Sequence, residues 1–248
     1  LKTIENKGRP GDLVTNADIE AERRIIDYLQ HITPEISILA EESGRKGVNK
    51  PLEWCIDPLD GTTNFAHGYP FFATSIGLVW NNQPLLGAIY APFFDELFFA
   101  APGVGAFCNS DKLSTSSTKT LSESLLVTGF AYDRQTEQEN NYAEFCALTH
   151  KTRGVRRAGA ASIDLAYVAC GRVDGYWERG LSKWDLAAGI PIVELAGGFI
   201  GNYPTGNFDL NNGRIIACTN GIKSELLDQL SIVRRLDPKS LFSRTNQQ

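Results

Sequence analysis

The 248-residue sequence has no methionine and only three histidines, His31, His67 and His150, each isolated from the others. No His/Cys ligand set of the zinc type can be drawn from them. The five cysteines (Cys55, Cys108, Cys146, Cys170 and Cys218) are scattered and odd in number. That argues against a disulfide framework and for free thiols in a reducing, cytoplasmic compartment. No apolar run reaches the roughly 18 residues that a membrane span needs. The best stretch, Leu186–Ile200, is broken by Pro191, Glu194 and three glycines. Bases are outnumbered, 24 Lys and Arg against 29 Asp and Glu, for a net charge of −5. No basic stretch tracks a nucleic-acid backbone, so neither nucleic acid nor membrane is expected as a partner. The G-x-S-x-G elbow, a Cys-His signature and the G-x-x-x-x-G-K-[ST] loop are also missing. Covalent serine or cysteine chemistry and a phosphate loop of the nucleotide-binding type therefore have no support.

What remains is a chain that is 42% hydrophobic, enough for one large domain or two small ones. Residues 1–14 read as a mobile loop. Thr15 and Asp18 open a helix that Pro34 closes. Ile36–Ala40 and Glu53–Asp57 read as strands, and three more fall between Phe72 and Ala101. Residues 109–124 are polar and Ser/Thr-rich, the one plausible seam between halves. Beyond it come a strand (Leu125–Phe130), helices at Glu137–His150 and Ala160–Cys170, and a strand at Val173–Glu178. A helix over Asp185–Ala196, a strand in "RIIACT" and a helix at Ile222–Leu230 follow. Strands in meander-like groups as well as alternating with helices predict a mixed sheet.

The chemistry concentrates in "WCIDPLDGTTNF", Trp54–Phe65. An apolar strand ends in Asp57, and Pro58 keeps it extended. Asp60-Gly61 signals a turn, and Thr62-Thr63 starts a short helix whose free N–H groups favour an anion. From Pro51 to Asp111 there are six acids and no Lys or Arg. Buried carboxylates without a base must find a distant one, stay protonated or hold a metal. Oxygen ligands favour Mg²⁺ or Mn²⁺ over Zn²⁺. Read alone, the D-x-x-D pair serves equally well as a turn and a helix cap. Glu41-Glu42 after "ISILA", Asp185 in "KWDLAAG" and Glu178 in "VDGYWE" are further acids. Taken singly they read as a loop acid, a cap and a strand-edge acid, and Arg179 and Lys183 stand near enough in sequence to neutralise the last two.

Together these pieces resemble the inositol monophosphatase family. Its two signatures match "DPLDGTTNF" (Asp57–Phe65) and "WDLAAGIPIVELAGG" (Trp184–Gly198). "DLVTNAD", "ILAEES", "GAAS" and "VDGYWERG" follow its pattern in the right order. Relatives usually carry roughly one more helix before the segment that begins at Leu1. With no methionine, a removed targeting segment is compatible with this start. The resemblance implies a layered αβαβα sandwich of mixed α and β structure. Residues 1–248 would form one phosphatase domain, with most metal ligands in 1–115 and Glu178 and Asp185 in 116–248. It implies Mg²⁺-dependent hydrolysis of a small phosphorylated polyol, inositol 1-phosphate first, by metal-activated water, with two or three ions and Mn²⁺ as a substitute. Glu41, Asp57 and the Leu59 carbonyl would hold one ion, and Asp57, Asp60 and Asp185 a second. Gly61 and Thr62 would cradle phosphate, and Asp18 would orient Thr62. Glu41, Thr62 and Asp18 would thus serve catalysis, while Asp60, Ala161, Glu178 and Asp185 would line the alcohol part. Homodimers and Li⁺ inhibition are also implied. Histidinol phosphate, fructose 1,6-bisphosphate and nucleotide 3′-phosphates are alternative substrates, and a regulatory role on the same fold is an alternative or added function.

Overall fold

The computed structural model describes residues 4–7, 13–46, 48 and 50–233. The first part runs β1 (Ile4–Asn6), β2 (Leu13–Thr15), α1 (Asn16–Ile32), β3 (Ser37–Ala40), β4 (Gly44–Lys46) and β5 (Leu52–Asp60). It continues through α2 (Thr62–Ala66), β6 (Ala73–Trp80), β7 (Gln83–Ala91), β8 (Glu96–Ala101), β9 (Gly105–Cys108) and β10 (Asp111–Lys112). The second part holds β11 (Leu125–Thr128), α3 (Tyr142–Thr149), β12 (Gly154–Arg156), α4 (Ala161–Ala169) and β13 (Gly175–Arg179). It closes with α5 (Lys183–Leu186), α6 (Gly189–Leu195), β14 (Phe199–Gly201), β15 (Arg214–Cys218) and α7 (Lys223–Ile232).

Two mixed sheets result, one of eight strands in the order β10-β9-β8-β7-β6-β5-β3-β4, the other of five in the order β12-β11-β13-β15-β14. Helices α4 and α6 fill the space between them, around Ile163, Leu165, Ile190 and Ile192. Helix α1 covers the far face of the large sheet through Ile26 and Leu29. Helices α3 and α7 cover the far face of the small one through Leu148 and Leu226. The order is therefore αβαβα, as the resemblance implies. The polar segment 109–124 carries the chain from one sheet to the other.

Several local expectations change. Ile4–Asn6 and Leu13–Thr15 pair as an antiparallel hairpin, not a loop; residues 1–3 and 8–12 of that predicted loop lie outside the described residues. Strand β5 does not end at Asp57 but runs on to Asp60 through a bulge against β6. The bulge re-aims both aspartates toward one edge. The helix predicted from Glu137 starts only at Tyr142, because Asn141 is left-handed (φ 70°). The one predicted over Asp185–Ala196 breaks into α5 and α6. Pro191 has no N–H to continue the ladder to Ala187. The break rests directly on the large sheet: a Cβ on Gly77 would lie 2.5 Å from the Ala187 backbone, and one on Gly87 2.3 Å from that of Ala188. Two glycines thus let the segment after Asp185 approach β6, the strand that neighbours Asp57, and β7 beside it.

Candidate active site

Helix α1 begins with a capping box, Thr15 and Asp18 each bonding the other's backbone end. The Thr15 amide and hydroxyl both donate to Asp18 Oδ2, at 2.8 and 2.5 Å. Asp18 Oδ1 stays free of them and lies 3.0 Å from the Thr62 hydroxyl. That hydroxyl is also 3.0 Å from the Leu59 carbonyl oxygen. It has one proton to give, so its lone pairs remain acceptors for a third group. Glu41 is set by β3 running parallel to β5, with its amide donating to the Ile56 carbonyl at 3.1 Å. Buried Glu22 on α1 fixes the turn after it, accepting from the Glu42 and Ser43 amides at 2.8 and 2.9 Å.

Asp57 is 2% exposed and accepts from the Leu59 amide at 3.0 Å. Asp60 caps α4 from across the molecule: the Ala161 amide donates to its Oδ1 at 3.2 Å, the Ser162 amide and hydroxyl to its Oδ2 at 2.7 and 2.5 Å. Asp185 accepts from the Ser182 amide at 2.6 Å, closing a second capping box. Gly61 turns the chain into α2 with φ 88°, a conformation glycine adopts without strain. Glu178 on β13 accepts from the Tyr176 hydroxyl at 2.7 Å. Its neighbour Trp177 points to the opposite face, where its indole donates to Asn141 at 2.6 Å.

These groups meet. Glu41, Asp57, Leu59, Asp60, Gly61 and Thr62 line one cavity of about 410 Å³, and so do Ala161, Glu178 and Asp185. Asp18 lies behind Thr62, outside the lining. Burial pushes the Asp57 carboxyl well above the usual range, and Glu41, Asp60 and Asp185 push it further. Burial raises Asp60 to about 6, against the pull of the Ser162 bonds. Asp185 is raised by burial and then by Asp60 and Glu41. Glu178 is raised to about 7 by burial, with Tyr176 and Arg157 opposing the rise.

Neither base that sequence places beside Glu178 and Asp185 neutralises them. Arg179 turns away to Asp133 (2.7 and 2.9 Å), and Lys183 to Asn82 (2.7 Å). No ion pair among the described residues includes Asp57, Asp60 or Asp185. The cation that does reach the acids is one that sequence reasoning missed: Lys7 Nζ sits 2.9 Å from Glu41 Oε1 and 2.5 Å from Glu42 Oε1. Arg134 and Arg157 also line the cavity and were equally invisible. None of the three lies within a motif, and nothing in their spacing points to the cavity, although Arg157 stands two residues before "GAAS".

The donor set fits a hard divalent cation. Four carboxylates and a main-chain carbonyl offer only oxygen, the ligand type of Mg²⁺. Among the described residues no group of three or more His, Cys, Asp or Glu side chains is placed to hold a metal ion as it stands.

The profile described as the inositol monophosphatase family matches residues 1–234. The chain belongs to the inositol monophosphatase family. Its relatives include an inositol-1-monophosphatase of Synechocystis, 53% identical over 93% of this chain and 81% of that protein. The Nus factor SuhB of Haemophilus influenzae is 39% identical over 88% of this chain and 82% of its own. The solved inositol monophosphatase of Anabaena superposes with a TM-score of 0.88 at 52% identity, covering 90% of this chain and 89% of that one. With the family come the layered fold and phosphatase chemistry dependent on a metal.

Proposed function

We propose that this phosphatase hydrolyses a small polyol phosphate, inositol 1-phosphate first, with two or three Mg²⁺ ions, which Mn²⁺ replaces. The observation that carries the reading is the convergence of Glu41, Asp57, Asp60 and Asp185 on one cavity, where the last three enter no ion pair among the described residues. Glu41, Asp57 and the Leu59 carbonyl would hold one ion, and Asp57, Asp60 and Asp185 the next. When bound, such ions lower the pKa of water and neutralise the leaving oxygen. The chain supplies the rest. Asp18 accepts a hydrogen bond from the Thr62 hydroxyl, which leaves the Thr62 oxygen to accept one from the attacking water and fix its direction. Gly61 lets the ester phosphate approach the backbone at the start of α2. Asp60 orders α4, which sets Ala161 against the alcohol part. Glu178, across the cavity, accepts from or donates to a ring hydroxyl. The cavity volume of about 410 Å³ suits a single sugar-sized ligand.

The chain is read as one domain whose two parts share this cavity. A homodimer is part of the reading; Phe93 and Phe94, 64% and 41% exposed, offer apolar surface that a second copy would cover. Free cysteines support a reducing, cytoplasmic setting. Nucleic acid is not an expected partner, on charge grounds. Relatives named Nus factor SuhB, at 39 and 43% identity, favour a second, regulatory role beside catalysis. Phosphate release from a panel of small esters, with and without Mg²⁺, tests the reading. Preferred release from inositol 1-phosphate supports it, and preference for histidinol phosphate or a bisphosphate sugar replaces the substrate. No release from any ester leaves only the regulatory role.

A further inference from the structure

Arg157 lines a second cavity as well, of about 320 Å³. Three kinds of group meet there. Arg156 and Arg157 are exposed and enter no ion pair among the described residues. Tyr69, Phe71 and Tyr167 supply aromatic rings. Phe71 packs edge-on to Tyr167 at 5.6 Å, and the Arg172 guanidinium, bound to Glu96 at 2.7 Å, lies 4.7 Å over the Tyr167 ring. Glu96 thus neutralises Arg172, whereas the charges of Arg156 and Arg157 are left for a ligand. The third group is Asp164 on α4. It is 2% exposed, yet its carboxyl enters no hydrogen bond or ion pair among the described residues. A buried polar group without a partner is costly, so it marks a place where a ligand atom belongs. Burial pushes this carboxyl well above its usual range, and Glu178 and Asp60 push it further, against the pull of Arg157. A neutral acid pairs with a hydroxyl, and the arginines beside it disfavour a cation.

We infer that this cavity binds a small aromatic anion, its carboxylate or phosphate on Arg156 and Arg157, its ring among Tyr69, Phe71 and Tyr167, and a polar substituent on Asp164. The volume suits a ligand of one ring. Arg157 serves two cavities with one charge. An anion held in the second cavity therefore weakens the attraction for an anionic ester in the first. This coupling rests on the reading of the first cavity as the ester site; the binding does not.

The test is calorimetric titration of the metal-free full chain with 4-hydroxybenzoate, an anion with no phosphate to release. Wild type should bind it roughly tenfold more tightly than benzoate, which lacks the group for Asp164. Arg156 lines only the second cavity and Arg134 only the first. Arg156→Gln should weaken 4-hydroxybenzoate roughly tenfold, and Arg134→Gln should bind it like wild type. No binding by wild type, as when a second copy of the chain fills the cavity, overturns the inference. The reverse pattern in the two variants also overturns it, and equal affinity for the two benzoates removes Asp164 from the site. With Mg²⁺ added, saturating 4-hydroxybenzoate should raise the KM for inositol 1-phosphate roughly fivefold in wild type and Arg134→Gln but not in Arg156→Gln. An unchanged KM with binding intact overturns the coupling alone. If no ester is hydrolysed, the reading of the first cavity falls, and the titrations still decide the second.

Discussion

The two ends of the cavity solve the problem of buried carboxyl groups differently. At the acid end, Asp57, Asp60 and Asp185 are oriented by backbone amides of Leu59, Ala161, Ser162 and Ser182. Amides fix direction but supply no full positive charge. At the other end Glu178 receives the Tyr176 hydroxyl and lies near Arg157. A single acid raised to about 7 can remain neutral at mildly acidic pH without help. Three acids crowded together must either stay protonated or take charge from outside. The proposed function assigns the first end to a cation and the second to a hydroxyl.

Removing a charge at the acid end should have the largest effect. Asp57→Asn and Asp185→Asn each keep an oxygen for their amide donor but lose the charge that the proposed metal site needs. Activity should fall at least about 10³-fold on every ester, as for loss of a major electrostatic contributor. The melting temperature of the metal-free protein should hold or rise, because a buried carboxyl is lost. Equal activity in either variant at saturating Mg²⁺ would take that residue out of the metal site. Thr62→Ala comes next. It should lower kcat by about 10²-fold with little change in KM, through misplacement of the water. A raised KM at constant kcat would make Thr62 a binding residue only.

Changes at the Glu178 end should discriminate between substrates. Glu178→Gln is expected to cost about tenfold in kcat/KM for inositol 1-phosphate while sparing glycerol 2-phosphate. Equal losses on both would erase the distinction between the two ends. The same variant has a stability signature. The folded carboxyl is raised from 4.5 to about 7, so between those values the folded chain holds a proton that the unfolded chain has released. Its contribution is present below about pH 4.5 and fades as pH rises to about 7, by up to about 3 kcal/mol. Denaturant titrations of metal-free Glu178→Gln should show a flatter dependence over that window than wild type. The smallest catalytic effect is expected from Gly77→Ala. Its Cβ would press on Ala187, costing about 1–3 kcal/mol of stability, and an unchanged midpoint of unfolding would show that the contact relaxes freely.

Most of the acid end was legible because it is local. "DPLDGTTNF" contributes six cavity residues within one strand, bulge and turn, and proline, glycine and absent bases are all sequence facts. The helix start at Thr15 and Asp18 was legible for the same reason, its capping box lying within four residues. What escaped depends on approach between distant segments. That Asp60 caps α4 from about 100 residues away, or that Glu178 nests where a Cβ on Gly129 would sit 2.1 Å from its oxygens, has no period or spacing to reveal it. The break between α5 and α6 was signalled by Pro191 but masked by the apolar residues on either side of it. The N-terminal hairpin was hidden by charged residues and glycines that resemble a loop. Lys7, which pairs with Glu41 and Glu42, was hidden with it.

The measurement that bears most directly on the account is phosphate release from inositol 1-phosphate by chelator-treated, full-length protein, before and after adding Mg²⁺. Release should be absent without the ion, return on its addition and stay absent in Asp57→Asn at the same Mg²⁺ concentration. Turnover that persists in the stripped protein, or in Asp57→Asn, would contradict a cavity whose carboxylates exist to hold a metal.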